Sequence, residues 1–358
     1  MTKIQQQVQD AIDELVESGA ERGLQVAVYD GGEPVVDAVA GVADPETGRA
    51  MAPDTPVHAQ STGKGVASTI VHLLVDRGAF GYDTRIAELW PEFGAHGKDT
   101  ATVRHAMTHT VGIPSLPAGT TIETLCDWDA MCAALADAAP EWEPGTRTGY
   151  HAQTWGFIVG EVVRRATGRP ISEVLRDEIA EPLGVADELY FGVPPAELGR
   201  LARIEEAPGF RDALAMFPSP VPPTADFLND PDALATDLPH GGVMTARAVA
   251  RMYAGLLGEV DGVRLVSDRR LSELSAVAFS GVDAVIGFPQ VWALGYGIGR
   301  PGLDPEPPTA FGMPGIGGSA AYADTATGMA FAITSNRLHP GTAPALARVG
   351  ELVENAMA

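Results

Sequence analysis

Apolar residues near the start of the chain fall at Ile4, Val8, Ile12, Leu15 and Val16, the three-to-four-residue spacing of an amphipathic helix. The period then changes. Positions 24–29 and 34–42 are apolar runs on either side of Gly31-Gly32, which predicts two strands joined in a hairpin. Positions 51–59 read as an extended approach to a second helix, whose apolar stretch 66–75 stops near Gly78. From Phe80 to about Leu238 the pattern is mainly helical segments cut by Pro and Gly, among them 155–167, closed by Gly168, and 171–179. A helix over 245–257, strand-like runs at 292–298, 318–324 and 329–335, and an amphipathic helix over 343–357 complete the chain.

Sheet at both ends with helices between implies that the two ends pair in one sheet. The expected fold is α+β: an antiparallel sheet built from both chain ends, flanked by helices, with a mainly helical middle lobe. Residues 1–80 and 240–358 would form the sheet-bearing lobe and 81–239 the helical one, with a site between them. Residues 217–223 hold four prolines and lead into the Asp-rich stretch 224–237, so no regular helix is expected there. That stretch is either a wall or lid over a site or a surface connection.

At 358 residues and 45% hydrophobic content the chain can bury a large core. Its 47 acidic against 24 basic side chains give a formal charge of -23, which repels nucleic acid and anionic lipid. Neither is expected as a partner; a small neutral molecule is. The N-terminal residues lack a basic region followed by an apolar one, and no apolar run approaches the roughly 18 residues of a membrane span. A cytoplasmic protein without a membrane anchor is expected. Two cysteines, Cys126 and Cys132, make no disulfide framework, and no Cys/His cluster has zinc-ligand spacing. No metal or cofactor is predicted, and the oligomeric state is open.

The candidate chemistry starts from one of only three lysines. Lys64 follows Ser61 by three residues in Ser61-Thr-Gly-Lys64, just ahead of the apolar stretch. If Ser61 begins a helix, the two side chains project from the same side, and the amine can deprotonate the hydroxyl. A free lysine has a pKa of about 10.4, so the amine must be buried or face positive potential to act near neutral pH. Tyr150, in a turn-rich loop before the 155–167 helix, is the candidate to relay the proton; His151 beside it is the alternative base. The glycine-rich segment 311–319 leads into a strand. An edge strand there could supply one main-chain N–H to a developing oxyanion while Ser61 supplies the other.

In this order the elements resemble the serine β-lactamase and penicillin-binding-protein superfamily, specifically the class C-like branch that includes the family VIII carboxylesterases. The likeness spans almost the whole chain: besides Ser61-Thr-Gly-Lys64 it includes Thr102 to Gly112, Pro144-Gly-Thr, Tyr150-His-Ala and His240-Gly-Gly-Val-Met-Thr245. The resemblance implies a β-lactamase/transpeptidase-like fold with Ser61 as acylated nucleophile, Lys64 as its base and Tyr150 as proton-relay partner. It implies an oxyanion hole from the N–H groups of Ser61 and Ile316, and substrate contacts at His151, Met313, Gly315 and Gly317.

Three positions depart from the family pattern. Ala152 stands where the β-lactamases of this branch carry an asparagine that grips the substrate amide. Met313 replaces a lysine, histidine or tryptophan, so a cationic anchor for an acidic substrate is missing. Val111 replaces a serine in the segment after His109. The expectation is therefore a serine esterase acting on a small ester or thioester with a short or medium apolar acyl group. Acyl transfer to an alcohol or amine through the same acyl-enzyme is the alternative, and β-lactam or D-Ala peptide cleavage or a non-catalytic binding role are further ones. Because 59–63 is one residue from the Gly-x-Ser-x-Gly elbow, an α/β-hydrolase is a rival architecture.

Overall fold

The computed structural model describes residues 2–215, 218–301 and 308–357. A nine-stranded sheet organises it, with strands in the spatial order Arg49–Ala50, Glu33–Asp44, Gly23–Asp30, Met329–Ser335, Ala320–Asp324, Ala310–Pro314, Gly297–Ile298, Pro289–Trp292 and Phe279–Val282. Every neighbouring pair is antiparallel. The chain ends meet at its centre, where Gly23–Asp30 lies on Met329–Ser335 with Val26 opposite Ile333. This is the pairing expected from the sequence. It also removes the α/β-hydrolase rival, whose sheet is mostly parallel.

Met329–Ser335 is buried at every position because helices cover both faces of the sheet. On the outer face Val8 and Ile12 of helix Lys3–Glu17 and Val349 and Val353 of helix Pro344–Met357 pack on Leu24, Val26, Phe331 and Ile333. On the inner face lie helices Ala246–Leu257 and Thr62–Asp76. Gln25 ties these layers together. Its amide donates to the carbonyls of Ala52 (2.7 Å) and Thr55 (2.9 Å), while its oxygen accepts from the Ala246 N–H (3.1 Å) and the Thr334 hydroxyl (2.9 Å).

Thr62–Asp76 is buried at all but its last residue, so it is the axis on which the helical part of the chain is built. Helix Thr154–Thr167 packs on it, and one apolar cluster runs from Ile70 and Phe157 to Phe311 without a break. Gly168 ends that helix in the left-handed conformation (φ 72°), as read from the sequence.

Several elements differ from the sequence reading. The run at 292–298 is two strands separated by a turn, and strands Phe279–Val282 and Ala310–Pro314 were not predicted. The helix expected over 171–179 is α-helical only at Ile171–Leu175 and continues as a π-turn at Arg176–Ala180. Two short helices, Ala225–Leu228 and Pro231–Ala235, interrupt the stretch expected to be irregular. The second is nucleated locally: Asp230 accepts from the N–H groups of Asp232 and Ala233, and Pro231 takes the first helical position. Phe217, the start of the proline-rich segment, lies outside the described residues. No described helix is long and apolar enough to cross a membrane.

Candidate active site

Gln60, just before the candidate nucleophile, holds a left-handed backbone (φ 55°), an uncommon conformation for a non-glycine residue and one often kept at functional sites. Ser61 then turns into the helix. Serine at this position ordinarily accepts a hydrogen bond from the first helical turn. Here its side chain makes no such bond, which leaves Oγ available to Lys64 Nζ at 3.1 Å.

A second contact fixes the amine, which donates to the His240 carbonyl oxygen at 2.7 Å. The approach is built from backbone: Val57–His58 pairs with Val243–Met244, and the Ala59 N–H donates to the Gly242 carbonyl (2.8 Å). Neither partner of Lys64 is a carboxylate. Burial with no counter-charge lowers its pKa to about 7. The positive end of the helix dipole works in the same direction.

Tyr150 stands over the pair, its ring centroid 5.1 Å from Lys64 Nζ. Burial pushes its hydroxyl up to about 12, and the adjacent Ser61 side chain offsets part of that rise. The ring is clamped: His109 packs on it at 4.9 Å between centroids, and Trp292 stacks parallel at 6.2 Å with 6° between planes. Trp292 is held in turn by an indole N–H bond to the Thr148 hydroxyl (3.0 Å).

The third element is the turn after strand Ala310–Pro314, closed by a hydrogen bond from the Gly315 N–H to the Ser319 carbonyl (2.7 Å). A methyl group on Gly315 would lie 2.2 Å from the Ala59 carbonyl, so only glycine lets this turn sit against the residues before Ser61. The strand expected at an edge, Ala320–Asp324, is interior, lying between Met329–Ser335 and Ala310–Pro314, and Ala310–Pro314 is itself paired with Gly297–Ile298; that last pairing ends at Gly312, which leaves the 313–316 end open toward the cleft. Among the described residues the main-chain N–H groups of Ser61 and Ile316 donate to no protein acceptor.

These parts open into a cleft of about 680 Å³. Its walls are largely apolar, with Met313, Trp292, Leu214 and Phe227 among them, and Ser61 and Tyr150 lie on its lining. Ser219, Pro223 and Phe227 belong to the lining, so the proline-rich stretch is a wall of the cleft over these residues. It is anchored by the Ser219 hydroxyl donating to the Gln153 side-chain oxygen (2.8 Å) and by the Gln153 amide donating to the Val221 carbonyl (3.1 Å).

A model of the beta-lactamase family matches residues 8–354. The chain belongs to the beta-lactamase family. Among its members, the esterase/beta-lactamase LipL of Mycobacterium tuberculosis (strain ATCC 25618 / H37Rv) is 35% identical over 343 residues, which covers 88% of this chain and 77% of LipL. A crystal structure of a family VIII carboxylesterase superposes with a TM-score of 0.91 at 32% identity, covering 99% of this chain and 98% of that one. A penicillin-binding-protein homolog from Caulobacter crescentus superposes with a TM-score of 0.87, also at 32% identity, over 100% of this chain and 98% of the other.

Within this beta-lactamase-family site, Ser61, Lys64, Tyr150, Met313, Gly315 and Ile316 converge, and two expected residues do not. His151, expected as a substrate contact, is buried away from the cleft. Its Nδ1–H donates to the Gly149 carbonyl (2.5 Å) and its Nε2 accepts from the Ile113 N–H (2.9 Å), so both ring nitrogens hold backbone. Gly317 packs against Leu338, where a methyl group would meet a Leu338 carbon at 2.6 Å, and its carbonyl accepts from the His339 N–H. The sequence reading missed the His240 carbonyl and the side chains of His58, Gln60 and Arg300, all of which line or support the cleft. His240 stood in a quoted motif, but a carbonyl leaves no mark in residue type.

Proposed function

We propose that this protein is a serine ester hydrolase that works through an acyl-enzyme on Ser61. The observation that carries the proposal is the 3.1 Å approach of a buried, unpaired lysine amine to the Ser61 hydroxyl. In its neutral form Lys64 donates to the His240 carbonyl and keeps a lone pair for the serine proton. Ser61 Oγ attacks the ester carbonyl, the proton passes to Lys64, and the carbonyl oxygen takes the charge between the N–H groups of Ser61 and Ile316. Tyr150, protonated at neutral pH, donates to the departing alkoxide and is reprotonated from the lysine. Water then releases the acid by the reverse route.

The named activities of the relatives support an ester as substrate: LipL is an esterase/beta-lactamase, and a second curated relative, 26% identical, is the esterase EstB of Burkholderia gladioli. Three features of the cleft argue against an amide or acidic substrate. Ala152 lines it without any side-chain hydrogen-bonding group for a substrate amide, Met313 brings no charge, and Arg300 on the lining is already paired with Glu354 (2.8 Å). The cleft has room for an acyl acceptor beside the acyl group, so transfer to an alcohol is a second outcome of the same intermediate.

Intact-mass measurement after brief exposure to p-nitrophenyl esters of increasing chain length tests the assignment. The expected result is an acyl adduct on the parent protein and none on Ser61→Ala. Turnover by Ser61→Ala at the parental rate would overturn it. Adding an alcohol and finding more new ester than free acid would assign transfer in place of hydrolysis.

A further inference from the structure

Among the described residues the large apolar side chains open to solvent are Val277 (58% exposed), Val282 (65%), Val285 (47%), Phe288 (65%), Val291 (40%) and Ile316 (38%). They are not scattered. The first five lie on or beside the hairpin formed by Phe279–Val282 and Pro289–Trp292, and Ile316 lines the same cleft as the hairpin's Val285 and Val291. Isolated exposed apolar residues need no explanation, but their concentration on one rim does.

The charge pattern of this stretch is equally unusual. From Leu274 to Gly299 the only charged residue is Asp283, in a chain that is 20% charged. Asp283 is itself buried, with Oδ1 accepting from the N–H groups of Val285 (2.8 Å) and Ile286 (3.0 Å) to shape the hairpin tip. One carboxylate oxygen is taken up by the turn and the other is buried, so what this stretch turns to water is uncharged.

The patch continues into the cleft. Val285, Val291 and Ile316 line the cleft, whereas Val277, Val282 and Phe288 lie outside it. One apolar surface thus runs from the wall beside Ser61 out over the hairpin, wider than a single acyl chain would need. Its occupant must leave the mouth usable. A second copy seated on this rim would cover the entry to Ser61, and two chains of charge -23 repel each other. The same charge disfavours an anionic lipid surface. An uncharged ester in aggregated form meets every condition: it wets the hairpin and supplies substrate to the cleft from the same surface.

We propose that the 277–291 hairpin and Ile316 form an apolar lip that docks the protein on the surface of an aggregated, uncharged ester and feeds the Ser61 cleft from it. The proposal rests on the ester-hydrolase reading for its substrate, while the docking itself does not require turnover. The test uses the full chain and a variant carrying Val282→Ser and Phe288→Ser, neither of which lines the cleft. Adsorption to a triolein emulsion is measured by co-flotation with Ser61→Ala protein, with and without the two lip substitutions. Rates on dissolved p-nitrophenyl butyrate, and on tributyrin below and above its solubility limit, are measured with Ser61 intact.

The expected result is flotation of Ser61→Ala with the emulsion, weakened about tenfold by the lip substitutions. The rate on tributyrin should step up once droplets form in the parent only, with dissolved-ester rates within about twofold of each other. Equal flotation with and without the lip substitutions would overturn the proposal. So would a parent that is dimeric and becomes monomeric on substitution, which would make the lip a contact between copies. Each single substitution, Val282→Ser or Phe288→Ser, provides the same readout if the double variant unfolds. Flotation without any turnover would retain the lip and reject the ester-hydrolase reading, so the two failures are distinguishable.

Discussion

Gly63, inside the candidate nucleophile motif, lies directly against Gly241: a methyl group on Gly63 would be 2.2 Å from the Gly241 carbonyl oxygen and 2.3 Å from its carbon. Both obstacles are backbone, so neither can swing aside. This contact brings the His240 carbonyl within 2.7 Å of Lys64 Nζ, since the helix and the 240–242 loop cannot separate without lengthening that bond. Gly63→Ala is expected to destabilise the protein by about 1–3 kcal/mol and to slow acylation more than it weakens substrate binding. Thermal unfolding and single-turnover kinetics on a p-nitrophenyl ester measure the two effects separately. Unchanged acylation with lowered stability would show that the loop does not position the amine.

Lys64 gives a pH dependence with a definite sign. Its pKa is lowered to about 7 by burial, so the fraction of neutral amine, and with it kcat/KM, should rise as pH increases through about 7. Lys64→Met should lose about 10²–10⁴-fold in acylation rate and the acid limb with it. The same shift predicts a stability effect. Because the folded pKa lies below the unfolded one near 10.5, the unfolded chain binds the extra proton, and burial of this residue costs stability fully below about pH 7 and not at all above about 10.5. Lys64→Met should therefore be more stable than the parent at pH 7, with the gap closing as pH rises. Burial alone does not make such a base: Lys98 is equally buried, but its amine donates to the carbonyls of Ala95, Ala136 and Ala138 and meets no hydroxyl.

Tyr150 owes its position to the stack beneath it. Tyr150→Phe keeps the ring and removes the hydroxyl, so it should lower acylation by about 10²-fold without changing stability much. Trp292→Leu keeps the hydroxyl and removes the parallel ring and the bond to Thr148, which frees the phenol to move. A comparable loss in kcat, near 10²-fold, is expected from misplacement alone. If Trp292→Leu raised KM with kcat unchanged, the indole would be a substrate contact and not a support for Tyr150.

The parts of this site that were legible in the sequence are those whose chemistry lies in side-chain type and local spacing. Ser61 and Lys64 are three residues apart on one helix, and the pairing of the chain ends followed from apolar runs at both termini. What was illegible depends on backbone atoms brought together over long distances. His240 meets Lys64 through a carbonyl 176 positions away, and no residue code records which carbonyl faces an amine. His151 was misassigned because adjacency to Tyr150 says nothing of direction, and its ring turns toward Ile113. Strand Ala310–Pro314 was missed because Gly312 and Pro314 lower its strand propensity, and its pairing with Ala320–Asp324 supplies the stability instead. Of the two short helices after residue 224, the second arises from one aspartate cap and one proline, signals weaker than the proline density before them, and the first has no side-chain cap at all.

The buried histidines predict how the protein fails in acid. Burial lowers His58 and His151 to about 4 and His72 to about 3, and holds His109 and His240 well below their ordinary value. Each folded pKa lies below the unfolded value near 6.5, so below that pH the unfolded chain takes up protons that the native one refuses. Stability is therefore complete above about pH 6.5 and lost as pH falls toward 4, by up to about 1.4 kcal/mol per pH unit for each histidine involved. His151 should matter most locally, since protonation of Nε2 removes the acceptor of the Ile113 N–H. His151→Ala should leave that buried donor unpaired at every pH, cost about 1–3 kcal/mol and flatten the acid slope by one proton, with KM for dissolved esters unchanged. Urea unfolding at a series of pH values from 4 to 8, run on the parent and on His151→Ala, measures the slope directly. An unchanged slope in the variant would mean that His151 is already protonated in the native protein and that its ring does not accept from Ile113.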